Sequence, residues 1–212
     1  MTIWLVFLLL SSQMAVPPTK TKEGYEVQFG VNHIGHFLLT KLLLPTLIKT
    51  TALPNSDVRI INLSSSGHLF APRGGIDFDH PDLPNSGIWT RYGQSKLANI
   101  KFTQALADKY PNITSVAVHP GGVGTNLMNT WLQSHKRLEW FVMLVAKTVE
   151  DGVKNQLWAA VAPKGEGFGK VESGSYYTPV GFKNKGSRYV ADARLKEKLW
   201  NWSEEELKKH GY

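Results

Sequence analysis

The chain contains no cysteine. That excludes disulfides and thiolate zinc sites and fits a reducing, cytoplasmic setting. No H-E-x-x-H motif occurs, so His33 and His36, three residues apart, have no third metal ligand beside them and read as ordinary buried or surface histidines. The sequence also lacks an unbroken apolar run long enough to span a bilayer. Ile3 to Leu10 is wholly apolar but falls far short of the roughly twenty residues a span needs. No basic residue precedes it as in a signal peptide. It reads as a buried strand, with a membrane anchor at Met1 to Leu10 as the alternative. Repeats and low-complexity tracts are absent, and no G-x-G-x-x-G or G-x-x-x-G-x-G motif precedes Asn32. Acidic residues are the minority charge, 17 against 24 basic, for a net charge of +7. The basic residues are scattered. Only Lys183, Lys185 and Arg188, and Lys196 with Lys198, come near to clustering. With no recognition module in view, no nucleic-acid partner is expected.

What is present is a folded-domain composition, 42% apolar and 19% charged. Val16-Pro17-Pro18-Thr19 is a loop signal. Glu23 to Lys49 reads as one long helix, apolar on most faces and therefore buried, which Pro45 ends or bends late. Val58 to Leu63 reads as a strand stopped by Ser64-Ser65-Ser66-Gly67, and Ala71 to Thr90 as a long loop. Arg91 to Lys109 is helical, Thr114 to Val118 a β-branched strand, and Leu138 to Ala162 one or two helices. Gly174 to Val180 reads as a last strand. Ala191 to His210 is helical, with capping-box spacing at Ser203 and Glu206. Alternating strands and helices predict an α/β fold, a mostly parallel sheet with helices on its faces. Ligands of such sheets sit beyond the carboxyl ends of the strands, here Ser64-Ser65-Ser66 and His119-Pro120-Gly121.

Tyr92 and Lys96 are four apart on a predicted helix and share a face. A free phenol, with a pKa near 10, is a poor base at neutral pH. An ammonium beside it stabilises the phenolate and lowers that pKa, which permits proton exchange with a substrate hydroxyl or carbonyl. Taken alone, Tyr-x-x-x-Lys is a common chance pairing. Its surroundings carry the argument. A serine-tipped strand lies upstream, His119-Pro120-Gly121-Gly122-Val123-Gly124-Thr125 follows a strand downstream, and Asn32 sits in a predicted buried helix where an amide demands partners.

In this order the motifs resemble those of the short-chain dehydrogenase/reductase family, in its retinol-dehydrogenase-like branch. Gly24 to Phe37 looks like the family's Asn-bearing helix, and Arg59-Ile60-Ile61-Asn62-Leu63-Ser64-Ser65-Ser66 like its serine strand. Tyr92-Gly93-Gln94-Ser95-Lys96-Leu97-Ala98-Asn99 looks like its catalytic helix, and His119-Pro120-Gly121 with Thr125 like its nicotinamide-side loop. The resemblance is close from Met14 to about Thr125 and looser beyond. It implies a NAD(P)-dependent hydride-transferring enzyme. Tyr92 is then the general acid/base. Lys96 lowers its pKa and binds the nicotinamide ribose. Ser65, with Ser64 as competitor, orients the substrate oxygen, and Asn32 holds a water in a relay to Lys96. Pro120, Gly121, Val123 and Thr125 contact the nicotinamide end, together with Tyr92 and Lys96. The substrate expected is a small apolar alcohol or carbonyl compound, with Trp131, Trp140 and Trp158 near its pocket or simply in the core. The basic surface leans toward NADP over NAD.

The resemblance also implies something missing. The family's first strand and glycine-rich turn place the pyrophosphate on a helix N-terminus. Here only thirteen residues precede Met14. The expectation is one incomplete, partial doubly wound Rossmann-type domain lacking its first three βα units, on the order of ninety residues. Within it, residues 1–13 form an atypical apolar start, 14–125 the catalytic core, and 126–212 the substrate-side helices, last strand and terminal helix. Cofactor binding is then in question. The strand at Ile3 to Leu10 should present an open edge and an apolar patch, leaving the chain marginally stable or paired through that edge. The alternative to an enzyme is a catalytically inactive fragment that serves as an interaction partner. The sequons at Asn62, Asn112 and Asn201 read as chance matches.

Overall fold

Strand β2 (Ser56–Leu63) shows how the sequence builds the sheet. Its alternate residues Val58, Ile60 and Asn62 face one layer of helices, while Arg59, Ile61 and Leu63 face another. A strand covered on both faces reads as a nearly continuous apolar run, and this one does. The computed structural model describes residues 3–10, 12–121 and 148–212. β1 (Ile3–Leu9), β2, β3 (Thr114–Val118), β4 (Tyr176–Thr178) and β5 (Phe182–Lys183) lie side by side in chain order. The first four are parallel and β5 returns antiparallel on β4. This is the mostly parallel α/β sheet expected; the short β5 had no signal in the sequence pattern.

Helices α1 (Val27–Thr51), α2 (Ile88–Lys109) and α4 (Ala193–Lys209) contribute to the larger core on one face, which includes Phe29, Phe37, Leu97, Phe102, Leu199 and Trp200. α3 (Val149–Val161) covers the other face with Ala159 and Ala160 against Ile61, Val116 and Val118. Arg59, fully buried, crosses to that side. It donates to both oxygens of Asp57, at 2.9 and 2.7 Å, and to the Ala159 carbonyl at 2.9 Å. Burial pushes the Asp57 carboxyl upward, but bonds from Arg59 and Lys164 outweigh it and hold the pKa below the usual value. A buried guanidinium is tolerable only with such pairing.

Several boundaries differ from expectation for identifiable reasons. Glu26 caps α1 by accepting the Phe29 N–H at 2.8 Å, so the helix begins at Val27. Its segment Gly30–Ile34, which holds Asn32, is wound as a π-helix. Pro45 does not end α1, because Leu44 and Leu47 on either side of it are anchored in the core. Ser203 is not a cap. Asp192 caps α4, and Ser203 lies buried mid-helix, 2.8 Å from His33 Nε2. A 3₁₀ turn (Ser66–Phe70) precedes the expected long loop, which gives way to α2 three residues early, at Ile88. The predicted helical stretch from Leu138 lies outside the described residues up to 147.

α1 is also not buried all round. Leu42 is 63% exposed and Leu39 and Ile48 are exposed with it, as are Trp4 and Leu8 on β1. β1 is the outermost strand of the sheet. Among the described residues no strand pairs with the outer edge of β1, and apolar side chains are exposed both on β1 and on α1. By length and composition α1 could cross a membrane. Its Phe29, Ile34, Phe37, Leu44 and Leu47 instead pack into the core.

Candidate active site

β2 delivers its serines to the carboxyl edge of the sheet. Ser64 N–H continues the pairing by donating to Val118 O at 2.8 Å, and its buried hydroxyl donates to the Lys96 carbonyl at 2.8 Å. Ser65 is extended and caps the 3₁₀ turn, its Oγ accepting the Gly67 N–H at 3.0 Å. Two glycines then let α2 seat against this turn. A Cβ on Gly67 would lie 2.5 Å from the Tyr92 ring, and one on Gly93 would lie 2.6 Å from the backbone at Phe70 and Ala71. Only hydrogen in place of a side chain permits these approaches.

Tyr92 and Lys96 lie on the buried face of α2, 5% and 1% exposed. The Ser65 hydroxyl lies beside the Tyr92 ring, both within reach of the same point at Gly67, and the Lys96 ammonium lies 5.6 Å from the phenol ring centroid. Lys96 Nζ also makes a long bond of 3.3 Å to the Leu63 carbonyl, which Asn99 shares at 2.9 Å. The phenol's pKa moves up, not down. Burial pushes it to about 12, and only the neighbouring Ser65 hydroxyl opposes this. Burial also pushes Lys96 down to about 7, so at neutral pH it carries only part of a charge. The expected lowering of Tyr92 by Lys96 is therefore not seen in the chain alone. Tyr92 stands as a protonated acid.

Asn32 is buried, but its contacts differ from those of a relay to Lys96. Its Oδ1 accepts the Gln13 N–H at 2.7 Å, and its Nδ2 donates to Gln13 O at 2.8 Å and to Ser95 Oγ at 2.9 Å. The amide pins the segment before α1 to α2, because the Gln13 backbone takes up both its polar ends. His119, Pro120 and Gly121 follow β3 at the same sheet edge, where Asn155 donates to the His119 carbonyl at 2.8 Å. Val123, Thr125, Trp131 and Trp140 lie outside the described residues. Trp158 packs on Tyr177 with ring centroids 4.8 Å apart and lies beneath Gly181, a core position.

Three residues without prior assignment gather here. Ser95 links Asn32 to the Tyr92 carbonyl, donating at 2.8 Å. His68, three residues past Ser65, bonds to the Ser65 carbonyl at 2.7 Å. Tyr176 packs edge-on against His68, its hydroxyl buried without a described partner and its pKa raised by burial and by Tyr92. A polar residue just past a strand-end serine is the one sequence signal that could have marked His68.

The donor set fits the nicotinamide-ribose end of a dinucleotide. Lys96 Nζ is buried, yet its bond to Leu63 leaves donor capacity, and the Tyr92 hydroxyl shares its helix face. The residues before Asn32 offer no glycine-rich turn for the pyrophosphate, so the fit is to that end alone.

No family model matches the chain. A short-chain dehydrogenase/reductase of Aspergillus calidoustus is 34% identical over 214 residues, covering 92% of this chain and 66% of its own length. Human polyprenol dehydrogenase is 34% identical over 201 residues, covering 90% of this chain and 57% of itself. Among solved structures, an uncharacterized protein from Mycobacterium paratuberculosis superposes with a TM-score of 0.69 at 27% identity, over 96% of this chain and 66% of that one. The NADPH-bound carbonyl reductase from chicken fatty liver shares the fold, with a TM-score of 0.56 at 21% identity, over 86% of this chain and 66% of its own. The chain spans less than two thirds of the length of these curated relatives.

Proposed function

The chain belongs to the short-chain dehydrogenase/reductase family, and from that premise we propose that it carries the proton-transfer site of an oxidoreductase linking NAD(P)(H) to an alcohol or carbonyl substrate. One observation carries the reading. The Tyr92 phenol and Lys96 share a buried helix face, with Ser65 beside that phenol at the neighbouring strand end.

When bound, the nicotinamide supplies or accepts the hydride at the substrate's carbinol carbon. Tyr92 gives its proton to the carbonyl oxygen during reduction and takes one from the hydroxyl during oxidation. Its upward-shifted pKa suits the acid role. Ser65 donates a hydrogen bond to the same oxygen and keeps it near the phenol. Lys96 holds the ribose hydroxyls through its remaining donors. Pro120 and Gly121 border the nicotinamide side of the site, with Val123 and Thr125 following them in sequence. Asn32, through Ser95, keeps the catalytic helix in register. An apolar substrate is favoured by a relative whose name gives a polyprenol as its substrate. The net charge of +7 favours NADP. The cysteine-free sequence suits a cytoplasmic setting.

The open edge at β1 favours a second reading, in which the chain pairs with another protein and does no chemistry. Calorimetric titration of the chain with NADPH and NADH separates the two. The enzyme reading expects binding of at least one by millimolar concentration. Failure of both to bind leaves only the pairing role.

A further inference from the structure

We propose that His68 is a positioning residue that holds Ser65 against Tyr92 and ties the strand-end turn to the 184–190 loop ahead of α4. Its importance for turnover rests on the function proposed above; its geometry does not. His68 is buried, and both ring nitrogens have backbone partners. Nδ1 lies 2.7 Å from the Ser65 carbonyl, and Nε2 lies 3.1 Å from the Ser187 N–H. A carbonyl only accepts and an amide N–H only donates. The two partners therefore fix one neutral tautomer, with the proton on Nδ1 and the lone pair on Nε2. Burial acts in the same direction by disfavouring the charged ring.

The surroundings are shaped for this ring. Gly186, at φ +65°, brings the loop so close that a Cβ there would lie 3.0 Å from His68 Nε2 and 2.7 Å from Val190. Tyr176 packs edge-on against the ring at 5.2 Å. The Ser65 residue whose carbonyl His68 holds is the same one whose Oγ accepts from Gly67 and lies beside the Tyr92 ring. Fixing that backbone fixes the hydroxyl. The far loop is thereby tied to the serine through a single side chain.

Two amide substitutions divide the histidine's roles. In H68N the short amide donates to the Ser65 carbonyl but falls short of Ser187. In H68Q the longer one accepts from Ser187 but leaves the Ser65 carbonyl only the backbone N–H of residue 68. Amide hydrogen exchange in the full chain reads both ends, because the Gly67 N–H reports the Ser65 hydroxyl and the Ser187 N–H reports the loop. The expected pattern is about tenfold faster exchange at both amides in H68A. H68N should restore Gly67 alone, and H68Q should restore Ser187 alone. Unchanged exchange in H68A, or the same pattern in H68N and H68Q, overturns the proposal. Where the wild-type chain turns over, H68Q should lower kcat about tenfold with KM held, and an unchanged kcat overturns the positioning claim. A wild-type chain that shows no turnover counts against the hydride-transfer reading only, and the exchange pattern then decides the role of His68.

Discussion

The Ser64 hydroxyl donates to the carbonyl of Lys96 at 2.8 Å and is buried in doing so, which leaves Ser65 as the serine at the Tyr92 phenol. The two neighbours should therefore separate on substitution. S64A should cost about 1 kcal/mol of stability, the net worth of one hydrogen bond, with kcat little changed. S65A should keep its stability and lose about 10²-fold in kcat, as for one donor removed from a reacting oxygen. Urea melts and steady-state kinetics on the two variants check this.

Stability should rise with pH through the neutral-to-alkaline range. Lys96 falls from 10.5 to about 7 on folding, and Lys101 from 10.5 to about 8, both chiefly through burial. Below these values each lysine is charged in both states and the folded chain bears the full burial cost. Between about 7 and 10.5 the unfolded chain binds more protons, so raising the pH stabilises the fold. Tyr92 acts oppositely. Its pKa rises from 10.0 to about 12, so its contribution is present below pH 10 and is lost as pH climbs toward 12. Denaturation midpoints measured across this range should pass through a maximum near pH 10. K96M should flatten the rising limb.

An acid limb should appear from two buried histidines. Burial lowers His33 to about 3. Burial, then the neighbouring Lys96 charge, lowers His36 to about 4. Between their ordinary value of 6.5 and these values the unfolded chain takes up more protons, so stability falls as pH falls. In H36Q the slope between pH 6.5 and 4 should be shallower than in the wild type, read by thermal melts at matched ionic strength.

Much of this was legible in the sequence because it rests on local patterns. A short apolar run marked β2 and a β-branched stretch marked β3, and the bounds of β3 at Thr114 and Val118 coincide with those read from sequence. The four-residue spacing of Tyr92 and Lys96 needed only helical geometry to place them together. What escaped depends on tertiary contacts. The role of Asn32 turns on Gln13, nineteen residues away and without a pattern of its own. The mid-helix place of Ser203 depends on His33, and His68 gains its meaning from a loop more than a hundred residues later. The pKa of Tyr92 lies above the value expected because sequence shows the nearby ammonium but not the burial that outweighs it.

The apolar surface at β1 and α1 should drive self-association. Leu42 is exposed on α1, and Leu8 is exposed on the face of β1 turned away from α1. Sedimentation velocity on the wild-type chain should show dimers or larger species that dissociate on dilution. L8K with L42E should shift the distribution to monomer without unfolding the chain. A wild-type chain that stays monomeric and melts cooperatively contradicts this use of the edge.

The most direct test of the central claim compares the full chain with its Y92F variant in the reduction of an apolar aldehyde by NADPH, followed by loss of the dihydronicotinamide absorbance. A phenol that donates the proton predicts measurable turnover in the wild type. Y92F should be slower by about 10²- to 10⁴-fold, with its circular dichroism unchanged. Equal rates in the two proteins, or a wild-type chain that turns over no aldehyde, contradict it.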